Sequence, residues 1–146
     1  MDSITEKINT MANQQLTYLF AQLLIGISMF GHGFVRVFDL VAFAEKMTKG
    51  FEDTLLPEAL VHPFMIALPI LELAVGLLLL VGAKTKWATI AGLVIMLALI
   101  FGSSMQQNWS TVPVQLFHGL FLLVILLFLP YNKYSLDGKH SQDSHQ

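Results

Sequence analysis

The run Pro63-Phe64-Met65-Ile66-Ala67-Leu68-Pro69-Ile70-Leu71-Glu72-Leu73-Ala74-Val75-Gly76-Leu77-Leu78-Leu79-Leu80-Val81-Gly82 carries one charged side chain, Glu72. About 20 apolar residues wound as a helix cover the roughly 30 Å of hydrocarbon in a bilayer. In lipid a helix satisfies every backbone N–H and C=O within one segment, and the run shows none of the apolar–polar alternation of a barrel strand. It reads as a membrane-crossing helix. Pro69 removes one of its hydrogen bonds and invites a kink.

Three runs of the same kind surround it, at about 15–37, 87–105 and 112–129. Together they predict an all-α fold: an integral membrane four-helix bundle over 15–130, with spans at about 15–37, 63–82, 87–105 and 112–129. The first run lacks a small-residue cleavage site and reads as an uncleaved span rather than a secretory signal. Residues 83–86 make a tight turn, so the spans on either side of it are antiparallel neighbours, and 106–111 form another short turn. The linker 38–62 is long and amphipathic. Phe38, Val41, Ala42, Glu45 and Lys49 fall at helical spacing, which predicts one or two short helices on the bundle or at the membrane surface. Residues 1–14 form a polar N-terminal segment and 131–146 a polar C-terminal tail.

Composition agrees with this pattern. The 146 residues are 55% hydrophobic and 12% charged, about half the charge of a soluble domain. The net charge of −2 and the lack of a basic, aromatic-interleaved stretch argue against nucleic acid as a partner. There is no cysteine. Thiolate catalysis, disulfide exchange and Cys-ligated iron–sulfur or zinc sites are excluded, and redox chemistry would need a bound cofactor or a partner protein. With both termini cytoplasmic, the inner side carries Lys7, Lys84, Lys86, Lys133 and Lys139. The outer side carries Arg36, Lys46 and Lys49 among Asp39, Glu45, Glu52, Asp53 and Glu58. That bias favours cytoplasmic termini in a bacterial inner (plasma) membrane.

Polar side chains inside hydrocarbon are costly, so they face protein or water and mark function by default. Glu72 lies mid-span; His32 and Arg36 lie one turn apart near the end of span one; His118 lies about two turns into span four. Gln22, Gln115, Ser103, Ser104 and Gln106 complete the set. At 1.5 Å per residue, His118 comes out about 9 Å and Glu72 about 13 Å below the outer surface. The polar groups of all four spans thus meet in the outer half of the bundle. Helical phase agrees. Gln22, Gly26, Met29, Gly33 and Arg36 share one stripe, as do Pro69, Glu72 and Gly76, and as do Gln115, His118 and Gly119. Small residues beside polar ones mark interior seams. A plain structural reading stands beside the functional one. Glu72 and Arg36 can serve as a buried pair that only fixes packing, and His32 and His118 as interhelical hydrogen-bonding residues. As a pair, the histidines can instead bind a haem iron or relay protons to a quinone. His62, Trp87 and Trp109 read as interfacial and the tail histidines as solvated.

The order of motifs resembles the DoxX family of small four-helix membrane proteins. Span one ends in Phe30-Gly31-His32-Gly33-Phe34-Val35-Arg36. Span two reads Pro69-Ile70-Leu71-Glu72 and continues to Gly76 and the turn Gly82-Ala83-Lys84-Thr85. The chain closes with Tyr134-Ser135-Leu136-Asp137. An early span-one arginine of that pattern is missing; Gln15 or Gln22 stands nearby. The resemblance implies a four-helix membrane fold and quinone-linked or thiosulfate-linked electron transfer, with accessory factors among the relatives.

The leading expectation is a small, quinone-linked membrane redox subunit, a component of an oxidoreductase. Glu72 and Arg36 would manage proton and charge. His32, His118 and Gln115 would hold the headgroup, stacked on Phe30 or Phe117, and haem b is the other cofactor the histidines suit. A redox partner protein would supply electrons. A non-enzymatic accessory or assembly factor is the alternative. A small-solute carrier, enclosed by a homodimer, is a third reading.

Overall fold

The computed structural model describes residues 2–138 of the chain, and side chains from Ser3 onward. The tail residues Lys139, His140 and His145 lie outside the described residues. Five α-helices follow one another: α1 Asp2–Val37, α2 Leu40–Lys49, α3 Glu58–Val81, α4 Thr85–Met105 and α5 Val112–Leu127. A 3-10 turn, Leu129–Tyr131, comes after them, and no strand occurs among the described residues.

α1, α3 and α4 are long and apolar enough to cross a membrane. α5 is as apolar but has 16 residues, about 24 Å of helix. Large apolar side chains such as Leu24, Ile27, Leu77, Leu97, Leu120 and Leu123 point outward, away from the core. A soluble protein does not leave so continuous an apolar surface in water. This is an integral membrane protein.

α1 packs on α3, α3 on α4, α4 on α5 and α5 back on α1, while α2 lies across α3. The α1–α3 contact is the most extensive, and its cause is legible in two residues. A Cβ on Gly33 would sit 2.5 Å from the Pro69 carbonyl oxygen, and one on Gly76 would collide with the Phe30 backbone nitrogen. The two backbones approach so closely because neither residue has a side chain. In lipid, where no hydrophobic effect drives helices together, such packing is what holds them. The expected stripe of Gln22, Gly26, Met29 and Gly33 is buried, as are Pro69, Glu72 and Gly76. Gly119 departs from expectation: it lines a shallow apolar groove between α4 and α5, and a Cβ there would meet nothing.

Two boundaries differ from the sequence reading. α3 starts at Glu58, five residues before Pro63, because Pro57 sets the N-cap in extended backbone (φ −70°, ψ 142°) and helix follows at once. The linker therefore holds only α2 and the turns from Gly50 to Pro57. At the other end, the polar N-terminal segment continues α1 as helix, with residues 3–14 exposed on all sides beyond the packed helices. α1 spans about 54 Å in all.

The last described residues form a clip. The Asp137 carboxylate accepts from the backbone N–H groups of Lys84 (2.9 Å) and Thr85 (2.7 Å), and the Asp137 N–H donates to the Gly82 carbonyl at 3.0 Å. Asn132 Nδ2 donates to Thr85 Oγ1 at 3.1 Å. The first N–H groups of a helix have no partner within it, and a carboxylate there also meets the positive end of the helix dipole. No side chain of α4's own N-cap supplies that bond. The tail does.

Candidate functional site

Each polar residue named from the sequence reaches its position by helix phase. Arg36 lies in the last turn of α1, facing α3. Its Nη1 donates to Glu72 Oε2 at 2.7 Å. The Glu72 side chain is 6% exposed and that of Arg36 30%, so the carboxylate is the buried partner and the guanidinium reaches toward the mouth. Phe43 of α2 lies under the guanidinium, with the Arg36 carbon 5.0 Å from the ring centre, within the range of a cation–π contact. One side chain thus ties α1 to both α2 and α3.

The two histidines meet edge to face, with ring centres 5.8 Å apart. Each uses Nδ1 on the carbonyl one turn back in its own helix: His32 on Ser28 and His118 on Val114, both at 2.8 Å. His118 Nε2 then bonds Ser28 Oγ at 2.8 Å. Ser28 joins α1 to α5 and was missed in the sequence. Its signal was its position one turn before His32. Gln115 Nε2 donates to Ser103 Oγ at 2.8 Å, joining α5 to α4. The buried Gln115 Oε1 finds no partner.

These groups line one cavity of about 440 Å³, within the usual range for small-molecule sites. Arg36, Glu72, His32, His118 and Gln115 all border it. Its remaining wall is largely apolar, with Met29, Phe64, Met65 and Leu68 deep within and α2 and Phe51 closing one side. Ser103, Gln106 and Asn108 add polar groups toward the turn after α4. Phe30 and Phe117 stand elsewhere. Phe30 stacks on Phe34 at 5.5 Å, and Phe117 is 64% exposed on the outer α4–α5 groove. Neither side chain borders the cavity.

Chemically, the cavity offers an ion pair, two imidazoles and an amide, set in largely apolar walls. No cluster of three or more metal-ligating His, Asp or Glu residues occurs among the described residues. For a haem iron to take both histidines, His118 Nε2 would have to leave Ser28.

Gln22, at the other end of α1, belongs to a different contact: its Nε2 donates to the Leu79 carbonyl at 2.7 Å. It closes the α1–α3 seam near the Asp137 clip, together with the buried Tyr18. Ser104 bonds its own helix at Ile100.

Fold and cavity together define a small helical membrane protein with a polar-ended cavity among its helices. The family model of methylamine utilisation protein MauE matches residues 14–112. The chain belongs to the MauE family. No curated protein and no solved structure matches in addition. The resemblance to DoxX is thereby corrected, because the matching family is a different one. The residues that carried it have physical roles that any tight helical pair needs. Gly33, Pro69 and Gly76 make the close α1–α3 approach, and Asp137 caps α4.

Proposed function

We propose that this chain is a small membrane redox subunit, quinone-linked, serving methylamine utilisation. One observation carries the reading. A single cavity combines apolar walls with a buried acid–guanidinium pair, an imidazole pair and an amide, the combination that suits an amphipathic ring with polar substituents. In this reading Glu72 and Arg36 manage proton and charge, and His32, His118 and Gln115 hold the headgroup. Phe30 and Phe117 drop out as stacking partners. Electrons come from a partner protein, since the chain has no cysteine of its own.

The architecture that goes with it is a four-span bundle. α5 and the 3-10 turn after it add up to roughly 30 Å, at 1.5 Å per α-helical and 2.0 Å per 3-10 residue. That is enough for a fourth crossing. Both termini lie in the cytoplasm of a bacterial inner membrane, on the lysine bias, and the cavity lies in the outer leaflet.

The test is binding of a short-chain quinone to the purified protein in lipid nanodiscs, followed by calorimetry. Saturable binding that weakens at least tenfold in Glu72→Gln or Arg36→Leu is expected. No saturable binding, together with no quinone extracted from the native protein, refutes the reading.

A non-enzymatic accessory role is favoured by a different observation: the helical extension at residues 3–14, exposed on all sides. Such an arm suits capture of a partner protein. Deleting residues 2–13 would then abolish recovery of a stoichiometric partner and leave quinone binding unchanged.

A further inference from the structure

The groove between α4 and α5 encloses about 680 Å³, and no charged or hydrogen-bonding side chain lines it. It runs along α4 from Leu93 to Ile100, about 10 Å of helix, on a helix long and apolar enough to cross a membrane. The chain's own packing leaves it unfilled. Gly119 borders the groove, and a Cβ there would meet nothing within 4 Å. At Gly33 and Gly76 the missing side chain lets two backbones touch. At Gly119 it leaves an opening instead.

The groove adjoins the polar cavity. Buried Met96 borders both, so at its level a single side chain parts the two. Methionine is unbranched, with three rotatable bonds, and it adapts readily to a neighbour. Nearer the turn after α4, Phe101 and Val114 border the cavity while more than half exposed. The residues just before them, Ile100 and Pro113, border the groove. The polar site thus meets an outward-facing apolar surface along the α4–α5 seam.

Resting on the quinone-headgroup reading above, we propose that the α4–α5 groove carries the ligand's prenyl tail, with ring and tail joined past Met96. A ring can seat in the cavity only if its hydrocarbon tail has a way back to lipid. The mouth at Arg36 is a poor exit, because hydrocarbon laid over the part-exposed guanidinium would desolvate its charge. The groove imposes no such cost. In a bilayer one hydrocarbon chain replaces another at little gain, so the groove supplies room rather than affinity. Filling it therefore penalises tailed quinones and spares a tailless one.

The experiment titrates the full chain in nanodiscs with ubiquinone-0, which has no tail, and ubiquinone-2, which has a short prenyl tail. Amounts are expressed per lipid, so that partition into the bilayer cancels. The parent is expected to bind ubiquinone-2 at least as tightly as ubiquinone-0. Gly119→Leu fills the groove from α5, and Leu97→Trp fills it from α4. Each should weaken ubiquinone-2 at least tenfold, about 1.4 kcal/mol, and change ubiquinone-0 less than twofold. Leu97 is exposed and Gly119 faces open space, so neither change enters the core. The two positions lie on different helices, so failure of one variant to fold leaves the other to decide. Equal losses of both ligands, or ubiquinone-2 binding that neither variant disturbs, overturns the tail groove and leaves the headgroup site standing. Failure of the parent to bind either ligand overturns both.

Discussion

Removing Arg36 should harm the protein more than neutralising Glu72, and removing both should harm it least. In Arg36→Leu the Glu72 carboxylate, 6% exposed, stays buried with its cation gone. Losing one partner of a fully buried pair costs about 3–5 kcal/mol. Arg36 keeps 30% of its surface, so part of its charge was already screened, and about 2–3 kcal/mol is expected. Glu72→Gln keeps an amide oxygen to accept from Arg36 Nη1, and the freed guanidinium can turn toward the mouth. A charged hydrogen bond weakened to a neutral one costs about 1–2 kcal/mol. The double variant Arg36→Leu, Glu72→Leu removes both desolvated charges and should lie within about 1 kcal/mol of the parent. SDS titration of refolded protein in mixed micelles, followed by circular dichroism, gives these stabilities, and the single variant Glu72→Leu closes the cycle with Arg36→Leu and the double variant to give the coupling energy. A coupling of at least about 1.5 kcal/mol is expected. A coupling below about 0.5 kcal/mol, or Glu72→Gln being worse than Arg36→Leu, would refute the view that the buried carboxylate is the vulnerable partner.

Gly76→Ala should force α1 from α3, because its methyl would collide with the Phe30 backbone nitrogen. A loss of about 1–3 kcal/mol in the same titration is expected, and a stability equal to the parent would mean that the close approach does not hold the pair. Asp137→Ala should cost about 1–2 kcal/mol through the uncapped N–H groups of Lys84 and Thr85. Hydrogen exchange should accelerate at the start of α4 and leave the α1–α3 seam protected. Ser28→Ala should free His118 Nε2 and cost about 1 kcal/mol. A nitrogen chemical shift of His118 that does not move would contradict the bond.

Much of the site was written in the sequence. Span-by-span counting put Glu72, Arg36, His32 and His118 at one level because helix rise is fixed, and all four border one cavity. Phase put Gln115 beside His118 for the same reason. Aromatic residues gave no such guide. Phe30 and Phe117 neighbour the site in the chain, yet a helix turns 100° per residue, and one position away already points elsewhere. Ser28 was passed over because a serine inside an apolar helix most often bonds its own backbone. Only the approach of α5 gives its hydroxyl a second partner.

What the sequence determined alone is the helical membrane class, since long apolar runs in lipid have one backbone solution. It also determined the level of each polar residue along its helix. The tertiary structure decided which atoms meet. It directed the guanidinium at the carboxylate, brought the tail's Asp137 back to cap α4 across 53 residues of chain, and set the His32 and His118 rings edge to face. Those outcomes depend on how far apart helices lie and how each is rotated, quantities set by the glycine contacts between α1 and α3 and by the bonds that tie α5 to α1 and α4, which no single helix encodes by itself.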